Sequence, residues 1–249
     1  MNTLTLSLTL ATALAVPAHA AITIARDSTS FTGTLSQIEG DVDPADMLSS
    51  FRNHPSYPDP NLTLNGGGTM TVVVAGDTFS NWQMEPATNY LDRANGWTWE
   101  TRFRIDSANV ANRGVWEIFL RDNESGFSGT RIHFLAGGID RDNAGFGVDA
   151  EYAIDLTDGF HTVRGAVEGG TNLTTVWVDG VKAIDALPSN ESEAPELGVI
   201  GRWGGQTGGG TATIDYIRFD TTGAFAPIPE PASVALLLMG SAFGLRRRR

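Results

Sequence analysis

The chain contains no cysteine. That excludes disulfides, zinc–thiolate sites and thiol catalysis together, so the packed core alone must carry the stability. Lysine is nearly as scarce, with Lys182 standing alone, and 17 Lys plus Arg face 29 Asp plus Glu for a net charge of −12. Four of the arginines, Arg246 to Arg249, close the sequence, so the stretch ahead of them is more acidic still. Such a surface repels nucleic acid and anionic headgroups and is compatible with neutral sugars, divalent cations or plain solubility outside a cell. The four histidines, His19, His54, His133 and His161, are scattered. That spacing argues against a histidine metal site or a Ser-His-Asp triad, although His133 and His161 are free to approach in space. No long amphipathic helix and no internal repeat is present. The glycine-rich run from Gly204 to Gly210 lacks the Lys-Ser/Thr of a phosphate loop.

What is present is most distinctive at the two ends. The sequence closes with Pro229-Glu230-Pro231, an apolar stretch from Ala232 to Leu245, and the arginine block. A helix from Ala232 to Leu245 is apolar all round, with no face to turn to water. It is shorter than the roughly 20 residues that normally cross a bilayer, which suits a temporary or marginal span. The arginines hold its end on the cytoplasmic side. This three-part order resembles the PEP-CTERM sorting signal of Gram-negative bacteria. The resemblance implies that an exosortase recognises Pro229, Glu230 and Pro231 and processes the tail. The protein is then released or anchored at the envelope, the cell surface or the extracellular matrix, with the membrane a partner at least in transit. At the other end Leu4 to Val16 is apolar and precedes Ala18-His19-Ala20, small residues at the positions a signal peptidase reads. No Lys or Arg precedes the apolar run, so the α-amino group alone supplies the usual positive charge. The expected organisation is a signal peptide over residues 1–20, a body over 21–226 and a sorting tail over 227–249.

The body reads as all-β, because short alternating apolar runs are separated by Gly/Asn/Asp clusters. From Trp97 to Ile105 the residues Trp97, Trp99, Phe103 and Ile105 point one way, and Glu100, Arg102 and Arg104 the other. Val115 to Arg121 and Arg131 to Leu135 repeat the alternation, with Trp116, Ile118, Leu120, Ile132 and Phe134 inward. His161 to Val167 and Thr174 to Val178 form a hairpin across Glu168 to Asn172. Asp179-Gly180 supplies the positive φ angles of a two-residue turn into Val181 to Asp185. Ile22 to Ala25, Leu62 to Leu64, Thr69 to Val74 and Ile214 to Phe219 complete the expected strands. Asp43 to Asn61, with four prolines, reads as a long loop or a short helix followed by one.

Two stretches of the body are familiar. Phe160-His161-Thr162-Val163-Arg164 followed by Thr175-Val176-Trp177-Val178-Asp179-Gly180 resembles the LamG/concanavalin A-like jelly roll. Thr213-Ile214-Asp215-Tyr216-Ile217-Arg218-Phe219 is similar to the last strand of that superfamily, its laminarinase-like branch included. The resemblance implies two antiparallel sheets packed face to face, one of them concave, with sugar binding the commonest activity. It also implies a structural calcium at Asp215.

Polysaccharide binding is expected on the concave sheet around Glu100, Arg102, Glu117, Arg131 and His133, or at an exposed Trp177, Trp203 or Trp82. The acidic run Asp140-Arg141-Asp142-Asn143 reads as a loop and a weaker cation candidate. Hydrolysis needs two carboxylates converging in a cleft. The laminarinase-like pattern Glu-x-Asp-x-x-Glu is absent, and Phe119 stands where its Asp belongs after Glu117. No catalytic residues are therefore assigned. A concanavalin A-like glycoside hydrolase and a purely structural matrix protein remain the alternatives to a binder.

Overall fold

A computed structural model describes residues 22–33, 37–40, 51–53, 61–74, 80–84, 91–109, 114–121, 129–142, 148–188, 198–202 and 209–228. Among them lie fifteen strands in two antiparallel sheets, one short 3-10 turn (Ser28–Ser30) and no α-helix. The first sheet runs β13 (Val181–Pro188), β12 (Leu173–Val178), β11 (His161–Glu168), β6 (Gly96–Ala108), β15 (Gly210–Asp220), β4 (Met70–Val74) and β3 (Asn61–Leu64). The two-residue β1 (Ile38–Glu39) also pairs with β15. The second sheet runs β10 (Val148–Ala153), β9 (Gly138–Asp142), β8 (Gly129–Leu135), β7 (Trp116–Arg121), β14 (Gly198–Arg202), β5 (Ser80–Met84) and β2 (Phe51–Asn53).

The alternation read from the sequence is what packs the sandwich. Trp97, Trp99, Phe103 and Ile105 on β6 are buried against Trp116, Ile118 and Leu120 on β7 and Ile132 and Phe134 on β8. Phe103 meets Trp116 edge-on at a centroid distance of 4.9 Å, and Trp116 tilts onto Phe134 at 4.4 Å. Aromatic pairs in these geometries add about 0.5–1.5 kcal/mol beyond the area they bury. Gly165 on β11 faces Trp99 in register. A Cβ there would stand 2.4 Å from the indole ring, so the close approach of strand and ring requires glycine.

The turns behave as their residues dictate. Asp179 and Gly180 take φ of 49° and 76° and close a two-residue turn between Val178 and Val181. Ala136-Gly137 closes a similarly tight turn between β8 and β9, where Leu135 pairs with Gly138. That hairpin corrects one expectation: Asp140, Arg141 and Asp142 belong to β9 and not to a loop. Two further corrections concern the N-terminal half. Phe51–Asn53 is a strand inside the stretch expected to be a loop or a helix. The strand expected over Ile22 to Ala25 reduces to a single parallel bridge, Ala25 to Ala226.

The N-terminal segment 22–33 and the C-terminal segment 221–228 lie together as a strap on the outer face of the first sheet. Thr98 of β6 accepts from Phe225 N (2.8 Å) and donates to Gly223 O (2.9 Å) through the same hydroxyl. The expected signal peptide over residues 1–20, the Pro-Glu-Pro motif and the apolar tail lie outside the described residues. Among the described residues no helix is long and apolar enough to cross a membrane.

Candidate functional site

The five charged residues expected on one concave face are divided between the two sheets. Glu100 and Arg102 stand on β6, in the first sheet, whereas Glu117 and the pair Arg131 and His133 stand on β7 and β8, in the second. The apolar faces of β6 and β7 meet across the core, so their polar faces must point in opposite directions. The single expected site is thus two separate clusters.

On the second sheet, strand register places Glu117 beside His133 and His133 beside Asp140. The row continues to Glu151 on one side, and through Gly201 to Asn81 on the other. His133 donates from Nδ1 to Asp140 Oδ1 at 2.9 Å, and its Nε2 lies 2.9 Å from Glu117 Oε2. Burial alone would push the imidazole pKa down. The hydrogen bonds and charges of Asp140 and Glu117 outweigh it and raise the value to about 10. His133 is therefore a buried imidazolium held between two carboxylates.

Glu117 is 0% exposed, and its carboxylate lies against the His133 imidazolium. Arg131 Nε approaches Glu117 Oε1 at 3.9 Å, and the Arg131 guanidinium lies 5.0 Å from the centroid of Phe119. Phe119 shares the outer face with Glu117 and is buried there. The row reaches solvent at its other end, where Glu151 is exposed.

On the first sheet, Glu100 is bound by Arg164 of β11, its partner in register. Arg164 Nε donates to Glu100 Oε2 at 2.7 Å, Nη2 contacts the same oxygen, and Tyr216 OH donates to Oε1 at 2.9 Å. Burial, together with the Glu100 charge, pushes the Tyr216 phenol up to about 12, so it stays a donor. Glu100 is saturated by protein groups and lies beneath the strap. Trp177 neighbours Arg164 on this same outer face, paired to it in register, and is buried at 7% exposure. It offers no open stacking platform, contrary to expectation. Trp203 and the side chain of Trp82 lie outside the described residues.

Asp215 occupies a β-bulge, since the register of β15 shifts between Ile214 and Tyr216 opposite Arg102. Its carboxylate forms an ion pair with Arg102. Among the described residues no group of three or more His, Asp or Glu side chains gathers to hold a metal. Backbone oxygens do converge nearby. The carbonyls of Gly68, Ile214 and Asp215 lie within 2.7 Å of where a side chain on Gly40 would begin. Carbonyl oxygens are donors that calcium takes, but these crowd the Gly40 backbone, and the Asp215 carboxylate would first have to leave Arg102.

Asp140 and Arg164 were not among the expected binding residues. The turn Ala136-Gly137 carried the signal for Asp140, because a two-residue hairpin places residues seven apart, such as His133 and Asp140, side by side. Nothing in the sequence marked Arg164, whose partners include main-chain carbonyls.

No family model matches the chain, and no curated protein matches it in sequence. Solved structures do resemble it. A Bacillus licheniformis β-glucanase is similar with a TM-score of 0.50 and 13% identity, over 76% of this chain and 99% of that one. The carbohydrate recognition domain of Emp46p gives 0.49 and 13%, over 74% and 93%. A β-1,3-glucanase from Mycobacterium marinum gives 0.43 and 17%, over 76% and 99%. At these identities the likeness is one of fold. The chain shares the fold of the β-glucanase, a jelly-roll sandwich of two antiparallel sheets.

The His133 row makes stability depend on pH in a definite direction. A group whose pKa rises on folding stabilises fully below its unfolded value of 6.5 and loses that contribution as pH climbs through about 10. Urea unfolding between pH 6 and 10.5 is expected to show a decline of up to about 1.4 kcal/mol per pH unit within that window. In His133→Gln that part of the decline should vanish. Parallel curves for the two proteins would show that His133 is not charged in the folded state.

Proposed function

We propose that this chain is an exported, non-catalytic polysaccharide-binding β-sandwich, with its ligand on the outer face of the second sheet. The observation that carries the reading is the in-register row Glu117–His133–Asp140 with Phe119 beside it. A glycosidase needs one carboxyl group that holds a proton for the leaving oxygen and a second carboxylate across the bond. In this row the proton resides on His133, and the imidazolium ring fills the space between the carboxylates. Arg131 and Phe119 occupy the next position along the face, where a further carboxylate would be required. The row instead supplies fixed hydrogen-bonding groups and opens to solvent at Glu151, beside the buried Asp140, where sugar hydroxyls bind by exchange of hydrogen bonds. By analogy of fold alone, a carbohydrate role is in keeping with the β-glucanase above.

Retention of the full chain on a panel of immobilised neutral polysaccharides is the direct test. Binding is expected to weaken at least about tenfold in the Glu151→Gln, Asp140→Asn double variant, the usual effect of losing charged hydrogen-bond partners. No retention on any glycan at millimolar protein would favour a structural matrix protein. Release of reducing sugar, lost in Glu117→Gln, would make the chain a hydrolase.

The export half of the proposal rests on the two ends of the sequence. Signal peptidase acts after Ala20, and an exosortase acts on the Pro229-Glu230-Pro231 tail, delivering the body to the Gram-negative cell surface or matrix. Replacing the three motif residues by alanine in a producing cell is expected to leave the tail on the protein, as read by intact mass. Normal processing of that variant would remove the motif from the proposal.

Calcium belongs to the proposal as a structural ion held by the carbonyls beside Gly40 with help from Asp215. When bound, it would cross-link β1, the β3–β4 turn and β15. Chelator is expected to lower the melting temperature of the wild-type chain and to have no such effect on Asp215→Ala. A wild-type melting curve unmoved by chelator would exclude the ion.

A further inference from the structure

The densest polar network outside the proposed glycan face is the one that fastens the strap. Arg164 projects from β11 through the outer face of the first sheet and is buried. Beyond its bonds to Glu100, its Nη1 donates to Arg26 O and to Ala226 O, each at 2.7 Å. One guanidinium therefore grips one carbonyl from each terminal segment while a buried carboxylate holds its other edge.

The two segments also hold each other. Ala226 N donates to Ile24 O at 2.8 Å, Arg26 N to Ala226 O at 3.1 Å, and Thr221 N to Thr32 O at 3.1 Å. Asp220, fully buried, accepts from Arg26 Nη1 at 2.5 Å and from Thr32 N at 3.2 Å. The Arg26 guanidinium lies 3.7 Å from the Phe225 ring centroid, and that of Arg164 lies 4.9 Å from Phe31. Asp27 caps the turn Ser28–Ser30 between these contacts, accepting from Thr29 N at 2.9 Å. The two segments thus share contacts with each other and with Arg164 and Asp220, while Thr98 also holds the C-terminal segment and Arg218 the N-terminal one.

We propose that segments 22–32 and 221–228 form a single cooperative latch closed by Arg164, so that undocking either one releases the other. The latch controls access to the end of the body: Pro227 and Ile228 line an open pocket of about 180 Å³ with Asp27, Ser28, Arg164 and Asp179. A processing enzyme or partner that approaches the chain just beyond Ile228 meets a held segment when residues 22–32 are docked and a free one when they are not. Coupling of this kind is reciprocal, because both segments draw on the same contacts. The latch lies on the sheet opposite the His133 row, so the inference does not rest on the glycan reading.

Hydrogen exchange measured by mass spectrometry on the full chain tests it. Ala226→Pro removes the N–H that bonds to Ile24 O, at a half-buried position of the strap. Amides in 22–32 are expected to exchange at least about tenfold faster in this variant while β7 and β8 keep their protection, as a local opening requires. Arg164→Met is expected to accelerate 22–32 and 221–228 together. Should that variant lose protection throughout, because Glu100 is left buried and unpaired, Ala226→Pro decides alone. Faster exchange confined to 221–228 in Ala226→Pro, with 22–32 unchanged, would overturn the latch.

Discussion

Phe103 reaches across the sandwich from β6 to meet Trp116 edge-on and Phe134 at a tilt, and Trp99 closes on Phe134 beside them. These rings are completely or almost completely buried. Truncating one such side chain typically costs about 3–5 kcal/mol, a large share of the stability of a domain this size. The contact also sets polarity. Once the rings face inward, strand alternation sends Glu100 and Arg102 out through one sheet and Glu117 and His133 out through the other. The proposed ligand face and the strap stand back to back for that reason.

Both outer faces then bury charge, and each resolves it differently. At Glu100 the carboxylate receives three donors, two from Arg164 and one from Tyr216, and the guanidinium spends its remaining donors on main-chain carbonyls. Every group is satisfied, which makes a rigid fastening. At Glu117 the carboxylate faces two cationic groups, the His133 imidazolium at 2.9 Å and Arg131 Nε at 3.9 Å. The first network fastens the strap, whereas the second forms a row of polar side chains that reaches solvent at Glu151.

Much of the fold was readable before any coordinates. The strands from Trp97 to Ile105, Val115 to Arg121 and Arg131 to Leu135 showed strict two-residue alternation because each has one face in the core. Asp179-Gly180 announced its turn because only residues tolerant of positive φ fit there. The strands that went unread, β1, β2, β5, β9, β10 and β14, are all six residues or shorter. Strands so short or so polar leave too few apolar positions for alternation to register. The candidate residues Glu100, Arg102, Glu117, Arg131 and His133 were correctly placed on outward faces. Their assignment to one site failed because alternation reports parity within a strand and says nothing about which sheet the strand joins.

The sequence by itself determined the alternation, the turns and the absence of thiol chemistry. Those are local properties, carried by neighbours in the chain and by the φ and ψ each residue allows. Tertiary structure alone decided that Arg164 should hold Glu100 and both ends of the body, and that His133 should become a charged link between Glu117 and Asp140. Strand register made those partnerships by joining residues far apart in the chain. The burial that followed changed what the same side chains could do, because removing water makes a carboxylate beside an imidazole strong enough to hold its proton.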